Sequence, residues 1–464
     1  MNERFKIRLI VVKPSDYWLS EKPVEKGYWG FVRSIKDYED EKKTVKKEFE
    51  QVIEELRREG KEVTLLPLLE INKVNEVLEK FEELREADLN VVLEFAPAGV
   101  WDPGSLIHAI VSASKYILIF DKFKPNTYAG TLFAPPVVKY FEEKGLGNKL
   151  FIVEGDFEKF KAIVRTLYAL WKISNTTLVC VGPINSAFGG WATLKNGIEM
   201  FGFKIKFYTY DKFIKDFNTL LEEKKEEAEK IVREFTSKAI KVVEPTPEKL
   251  FRAAVYHLVL EKYVKENGSD WITVNCLSEL ISKTKATPCL SFSILNDKGI
   301  VATCEADPTE MLLHYLLTHI ASKPVFFNDP TVNEKDGTLI LAHCTSPTKM
   351  LGYDKPQLKY EVRTHHESNY GATPKPFYEK GLVTIAGLSF NLDKMIIITG
   401  EVVGSPRLRI CRAQVEVKVK DATKILEDWQ GFHWVMVYGD YTRELTHLCK
   451  ITGIKPILHT FDKE

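Results

Sequence analysis

At 464 residues the chain is too long for one typical core, so two or three domains are expected. Its 65 basic and 65 acidic residues cancel, which argues against a polyanion-binding surface and makes neither nucleic acid nor an anionic membrane an expected partner. The apolar fraction, 44%, is that of a globular protein, and no run approaches the roughly 18 to 20 uncharged apolar residues of a membrane span.

The first strand opens in MNERFKIRLIVV, where charges run into the apolar segment without a signal-peptide layout, so a cytoplasmic location is the default expectation. Seven dispersed cysteines without a CxxC pair read as reduced thiols. Residues 1–173 then alternate strand and helix patterns, the signature of an N-terminal α/β domain with a parallel sheet. Helix 39–59 carries Val45, Phe49, Val52, Ile53 and Leu56 on one face and is closed by Gly60. Between Asp16 and Phe31 lies an aromatic-rich loop, a candidate for sugar stacking or a subunit contact, with ordinary packing the competing reading. Gly99, Gly104 and Gly130 do not form a GxGxxG, so no nucleotide cofactor is expected.

A second α/β domain is expected over 174–340. Thr177 to Val181 reads as a strand, Gly189-Gly190 precedes a helix without the GK[ST] of a phosphate loop, and 211–241 reads as one charged, exposed helix. Thr246-Pro247 caps the next helix. After about 340 strands recur without helices, and residues 341–464 read as a β-rich, antiparallel barrel-like domain.

The candidate chemistry lies in VATCEADPTEMLLHYLLTHIASKPVFFNDP, Val301 to Pro330. Two short strand patterns flank a helical one, which predicts parallel strands, adjacent or nearly so, with Glu305 and Asp329 just past their C-terminal ends. Two carboxylates there suit metal binding, proton transfer or both; the plainer alternatives are a turn residue for Asp329 and a helix-start residue for Glu305. Asp307, before Pro308, reads as the helix cap. His257, His314, His319, His447 and His459 lack partner motifs, and core or surface roles are their default.

TCEADP, the Asp of FFNDP twenty-four residues after its Glu, LAHCTSP, RTHHES and GFHWVMVYGDYTREL together resemble the L-fucose isomerase family, which is related to L-arabinose isomerases. The resemblance implies a metal-dependent sugar ketol-isomerase working through an enediol, with Glu305 and Asp329 as both ligands and acid/base groups and His433 completing the metal site. It implies Mn²⁺, or Co²⁺ or Mg²⁺, a small sugar substrate and a homotrimer or homohexamer. His365 stands where the arabinose branch has a metal ligand, and His343 and Arg412 are further candidates for ligand or substrate contact; Glu444 is a candidate supporting group. A sulfonated or phosphorylated hexose is an alternative substrate, and a sugar-binding protein without turnover is the reading from another class.

Overall fold

The computed structural model describes residues 4–14, 19, 31–95, 103–128 and 130–461. It forms two compact units, Met1–Val164 and Arg165–Glu464. Apart from Leu19 and Phe31, the aromatic loop from Asp16 lies outside the described residues, as does Gly99.

In the first unit the strands are β1 (Phe5–Val12), β2 (Val63–Leu65), β3 (Leu69–Ile71), β4 (Leu89–Glu94), β5 (Tyr116–Asp121) and β6 (Leu150–Glu154). They form one parallel sheet in the order β2-β1-β4-β5-β6, with β3 paired to β1 beyond the end of β2. Helix Ile35–Arg58 buries Val45, Phe49, Val52, Ile53 and Leu56, the face expected from the 3.6-residue period, and Gly60 at φ 86° takes the left-handed position just after it.

The second unit opens on β7 (Thr177–Val181), β8 (Lys204–Tyr208), a two-residue β9 (Lys241–Val242), β10 (Trp271–Val274) and β11 (Val301–Cys304). A four-stranded parallel sheet has the order β11-β10-β7-β8. The charged segment after Asp211 is two helices, Tyr210–Glu223 and Lys225–Ser237, broken at Lys224 (φ −119°, ψ 35°), because Phe213, Phe217, Ala228 and Phe235 must each turn inward. Gly189 is needed for packing: a Cβ there would stand 2.2 Å from Thr193 Oγ1, at a φ of 97°.

There follow β12 (Phe326–Asn333), β13 (Thr338–His343), β14 (Tyr360–Arg363), β15 (Thr373–Pro376), β16 (Leu382–Leu388), β17 (Lys394–Gly404), β18 (Ala413–Val419), β19 (Trp434–Tyr438) and β20 (Lys455–His459). Six of them close an antiparallel barrel, β16-β19-β12-β13-β18-β17 and back to β16, with β20 added parallel to β17. Closure leaves no edge among these strands, and the interior is filled by residues such as Phe326, Leu341, Ile385, Ile396, Val415 and Trp434. A small sheet, β15-β14-β9, stands beside it.

The expectation that the strands flanking the central helix would be parallel, and adjacent or nearly so, is wrong. β11 ends the parallel sheet, whereas β12 is antiparallel to β13 and β19 in the barrel, so the barrel takes its first strand from Phe326 rather than from beyond 340. The reason lies in helix Glu310–Ala321, whose Met311, Leu312, Leu313, Tyr315, Leu316 and Leu317 are all fully buried. A helix apolar all round needs cover on both sides. It packs on β11 on one side and on β16, β19 and β12 on the other. Each such side chain contributes about 1.5–3 kcal/mol through burial, which a helix covering one face of one sheet would not gain. Asp329 is accordingly inside β12, opposite Ala342, rather than past a strand end. No helix among the described residues is long and apolar enough to cross a membrane.

Candidate active site

Glu305 follows β11 directly, at the C-terminal edge of the parallel sheet. Its φ is 64° and that of Ala306 is 50°, two consecutive left-handed residues that carry Cβ atoms. Such backbone costs on the order of 1–3 kcal/mol per residue and persists where surrounding structure holds it. Here Asn185 N–H donates to Ala306 O at 3.2 Å. Buried Ala306 and the 9%-exposed Glu305 leave the turn little room to relax.

The barrel supplies the other groups at one of its ends. Asp329 pairs with Ala342, whose successor is His343, the last residue of β13; Asn328 pairs with Trp434, whose predecessor is His433. Register thus sets Asp329, His343 and His433 side by side, and the turn after β11 adds Glu305. His343 Nε2 is 3.4 Å from Glu305 Oε1, and His433 Nε2 is 3.3 Å from Asp329 Oδ1 and 3.7 Å from Glu305 Oε2. Ligand atoms of Glu305, His343 and His433 all lie within 4.8 Å of one another. Asp329 approaches from the open side, with its side chain 40% exposed.

Aromatic rings hold both imidazoles in place. Phe327 lies 4.4 Å from His433 and 5.0 Å, edge-on, from His343, and Phe188 meets His433 at 4.7 Å. His433 Nδ1 donates to Asp307 Oδ2 at 2.8 Å, which turns Nε2 toward two carboxylates. Neither nitrogen of His343, a ring only 2% exposed, makes a well-formed hydrogen bond, its nearest approach being Nε2 to Glu305 at 3.4 Å. A cation between these groups meets both Nε2 atoms and both carboxylates at once, so the donor set fits a divalent ion.

The electrostatics are those of a charged, nearly dry site. Burial works to raise the Glu305 pKa, but the neighbouring His343, with His433 and His365, holds it below the ordinary carboxylate value. Burial disfavours charge on His343 as well, yet the close Glu305 carboxylate, with Asp329, pushes its pKa up to about 9. His365 goes the other way, to about 4, through burial and the charge of His343. Ser368 N–H donates to His365 Nδ1 at 3.2 Å, which leaves the hydrogen on Nε2 and makes that edge a donor. His365 lines a small cavity together with Glu305, His343, Cys304 and Cys344.

Two other candidates have their charges engaged elsewhere. Arg412 donates to Thr364 O at 3.2 Å and pairs with Glu244 at 3.1 Å, and Glu444 is paired with Arg165 at 3.0 Å. Sequence reasoning read Asp307 as the N-cap; that position falls to Thr309, and Asp307, two residues before it, accepts from Thr309 N and Glu310 N through Oδ1. Its second role, toward His433, was not foreseen. Nor was that of Phe327, whose only signal was its place two residues before Asp329.

No family profile matches the chain. It is similar to a protein of Clostridium sp. (strain MSTE9) named sulfoquinovose isomerase, 24% identical over 315 residues, which cover 65% of this chain and 69% of that relative. Proteins of the same name from Alkalicoccus urumqiensis (21% over 212 residues) and Priestia aryabhattai (20% over 216) are matched over 47% and 48% of their length.

Proposed function

We propose that the chain is a metal-dependent aldose-ketose isomerase of the L-fucose/L-arabinose isomerase type, acting on a modified hexose. The observation that carries the reading is the convergence of Glu305, His343, His433 and Asp329 from two different sheets onto one point. The names of the relatives favour a sulfonated sugar over L-fucose.

Imidazole and carboxylate donors without a thiolate suit Mn²⁺, Co²⁺ or Mg²⁺. Such an ion, when bound, polarises a sugar carbonyl and acidifies the adjacent C–H. In this reading Glu305 and Asp329 hold and move the proton, one of them lifting it from C1 or C2 and returning it to the neighbouring carbon through an enediol. His433 is kept in one tautomer by Asp307, and His365 Nε2–H donates to a substrate oxygen. The reading extends to a homotrimer or homohexamer, to be checked by mass in solution.

The test is a chelator-stripped preparation given Mn²⁺, Co²⁺ or Mg²⁺ and assayed by NMR for aldose-ketose interconversion of sulfoquinovose, L-fucose and L-arabinose. Metal-dependent turnover supports the proposal; no turnover of any of these sugars with any of the ions overturns it.

A further inference from the structure

Lys375, on β15, is 8% exposed and has neither an ion pair nor a hydrogen bond from its ammonium among the described residues. Its stem is covered while its ammonium still reaches solvent, so the unpaired charge is open to a ligand. Its surroundings make the imbalance larger. Across the strand pair it faces Glu361, but that carboxylate is held by Arg363 at 2.7 and 3.1 Å. Glu244, the other carboxylate, is shared by Arg363 at 2.9 Å and Arg412 at 3.1 Å. Arg407 adds a further cation against the Phe377 ring, with no ion pair among the described residues. Of the four cations Arg363, Lys375, Arg407 and Arg412, Lys375 and Arg407 are thus the two without an ion pair among the described residues.

This excess of positive charge stands next to the candidate active site. Thr373, two residues before Lys375 on the same face of β15, donates its hydroxyl to Cys344 O at 2.7 Å, and Cys344 follows His343. Two residues of strand span about 7 Å. Arg412 reaches the backbone oxygen of Thr364, the residue before His365, and Cys411 Sγ lies 3.7 Å from Cys344 Sγ.

We propose that Lys375, supported by Arg407, forms a subsite for a tetrahedral oxyanion, a sulfonate or phosphate carried on the sugar carbon far from the reacting carbonyl. The inference rests on the isomerase reading and narrows it to an anionic hexose. The lysine offers three donors to such a group, and Arg407 adds a planar guanidinium fork.

The experiment is calorimetric binding of sulfoquinovose, D-glucose 6-phosphate and D-glucose to the metal-loaded protein, for wild type, Lys375→Met and Lys375→Arg. Wild type is expected to bind at least one charged sugar at least about tenfold more tightly than glucose, Lys375→Met to lose that margin and Lys375→Arg to keep most of it. The ratio of the two charged sugars distinguishes sulfonate from phosphate. If Lys375→Met does not fold, by circular dichroism, the surface variant Arg407→Gln is used in its place and is expected to lose at least about threefold of the margin. Equal binding of all three sugars by wild type, or a margin untouched by the substitutions, overturns the subsite. A margin that depends on Lys375 in a protein that isomerises nothing upholds the subsite and refutes the isomerase reading.

Discussion

Asp307 and His433, 126 residues apart in the chain, are joined by a 2.8 Å hydrogen bond from Nδ1 to Oδ2, while Oδ1 of the same carboxylate accepts the amide of Thr309 at 2.8 Å. One side chain that is fully buried both accepts amides at the start of the central helix and fixes a barrel imidazole. Asp307→Asn keeps an acceptor for those amides but presents either an amide or a weaker acceptor to His433. We expect a folded protein whose Mn²⁺ affinity falls about 10- to 100-fold, measured by calorimetric titration. Unchanged affinity would show that the bond serves only the helix.

His343 tests the composition of the donor set. His343→Gln removes an imidazole whose nearest polar partner is Glu305, at 3.4 Å. The expected result is at least about a tenfold loss of Mn²⁺ affinity, together with a lower thermal midpoint of the metal-free protein, which loses the His343–Glu305 pair. Normal affinity would leave the ion to Glu305, Asp329 and His433.

Glu305→Gln should reduce turnover by at least about a thousandfold, since ligand and base are lost together, while far-ultraviolet circular dichroism stays native. In D₂O, the wild-type product should carry deuterium at C1 or C2, because a carboxylate that lifts a proton exchanges it with solvent. Product free of deuterium in both directions over many turnovers would point to a hydride shift.

His257 and His314 set an acid limit on stability. Burial lowers their pKa values to about 4 and about 3, from an unfolded value near 6.5. Their folded forms resist protonation, so the stability they contribute is complete above about pH 6.5 and is lost as pH falls toward those lower values. Each costs about 1.4 kcal/mol per pH unit within its window. Urea midpoints should fall steadily from pH 6.5 to 4, and His314→Asn should flatten the slope; a midpoint independent of pH there would contradict the assignment.

Gly387, on β16, leaves no room for a side chain: a Cβ would stand 2.1 Å from Trp434 Cδ1. Gly387→Ala should destabilise the protein by about 1–3 kcal/mol through overpacking. Because Trp434 adjoins His433, Mn²⁺ affinity should fall as well; stability lost with affinity intact would mean that the strand absorbs the shift.

The sequence by itself determined the local elements and the chemical groups. Val45, Phe49 and Leu56 fall on one helical face by period alone, Thr246-Pro247 starts its helix by cap chemistry alone, and the TCEADP, FFNDP and GFHW segments named Glu305, Asp329 and His433 as the groups to watch. These depend on neighbours a few residues away. Which sheet each strand joins does not: a short apolar run such as Phe326–Asn328 pairs equally well in a parallel or an antiparallel sheet, and only the need to cover both sides of helix Glu310–Ala321 sends β12 into the barrel. Barrel closure then sets the register that places His343 beside Asp329 and His433. The same closure brings His433 to Asp307, giving a residue read as a helix cap its second partner, and it turns His343 from a residue on a strand into part of the site. Lys375 was silent in sequence because an unpaired charge is defined by what fails to surround it, and that is known only once the chain is packed.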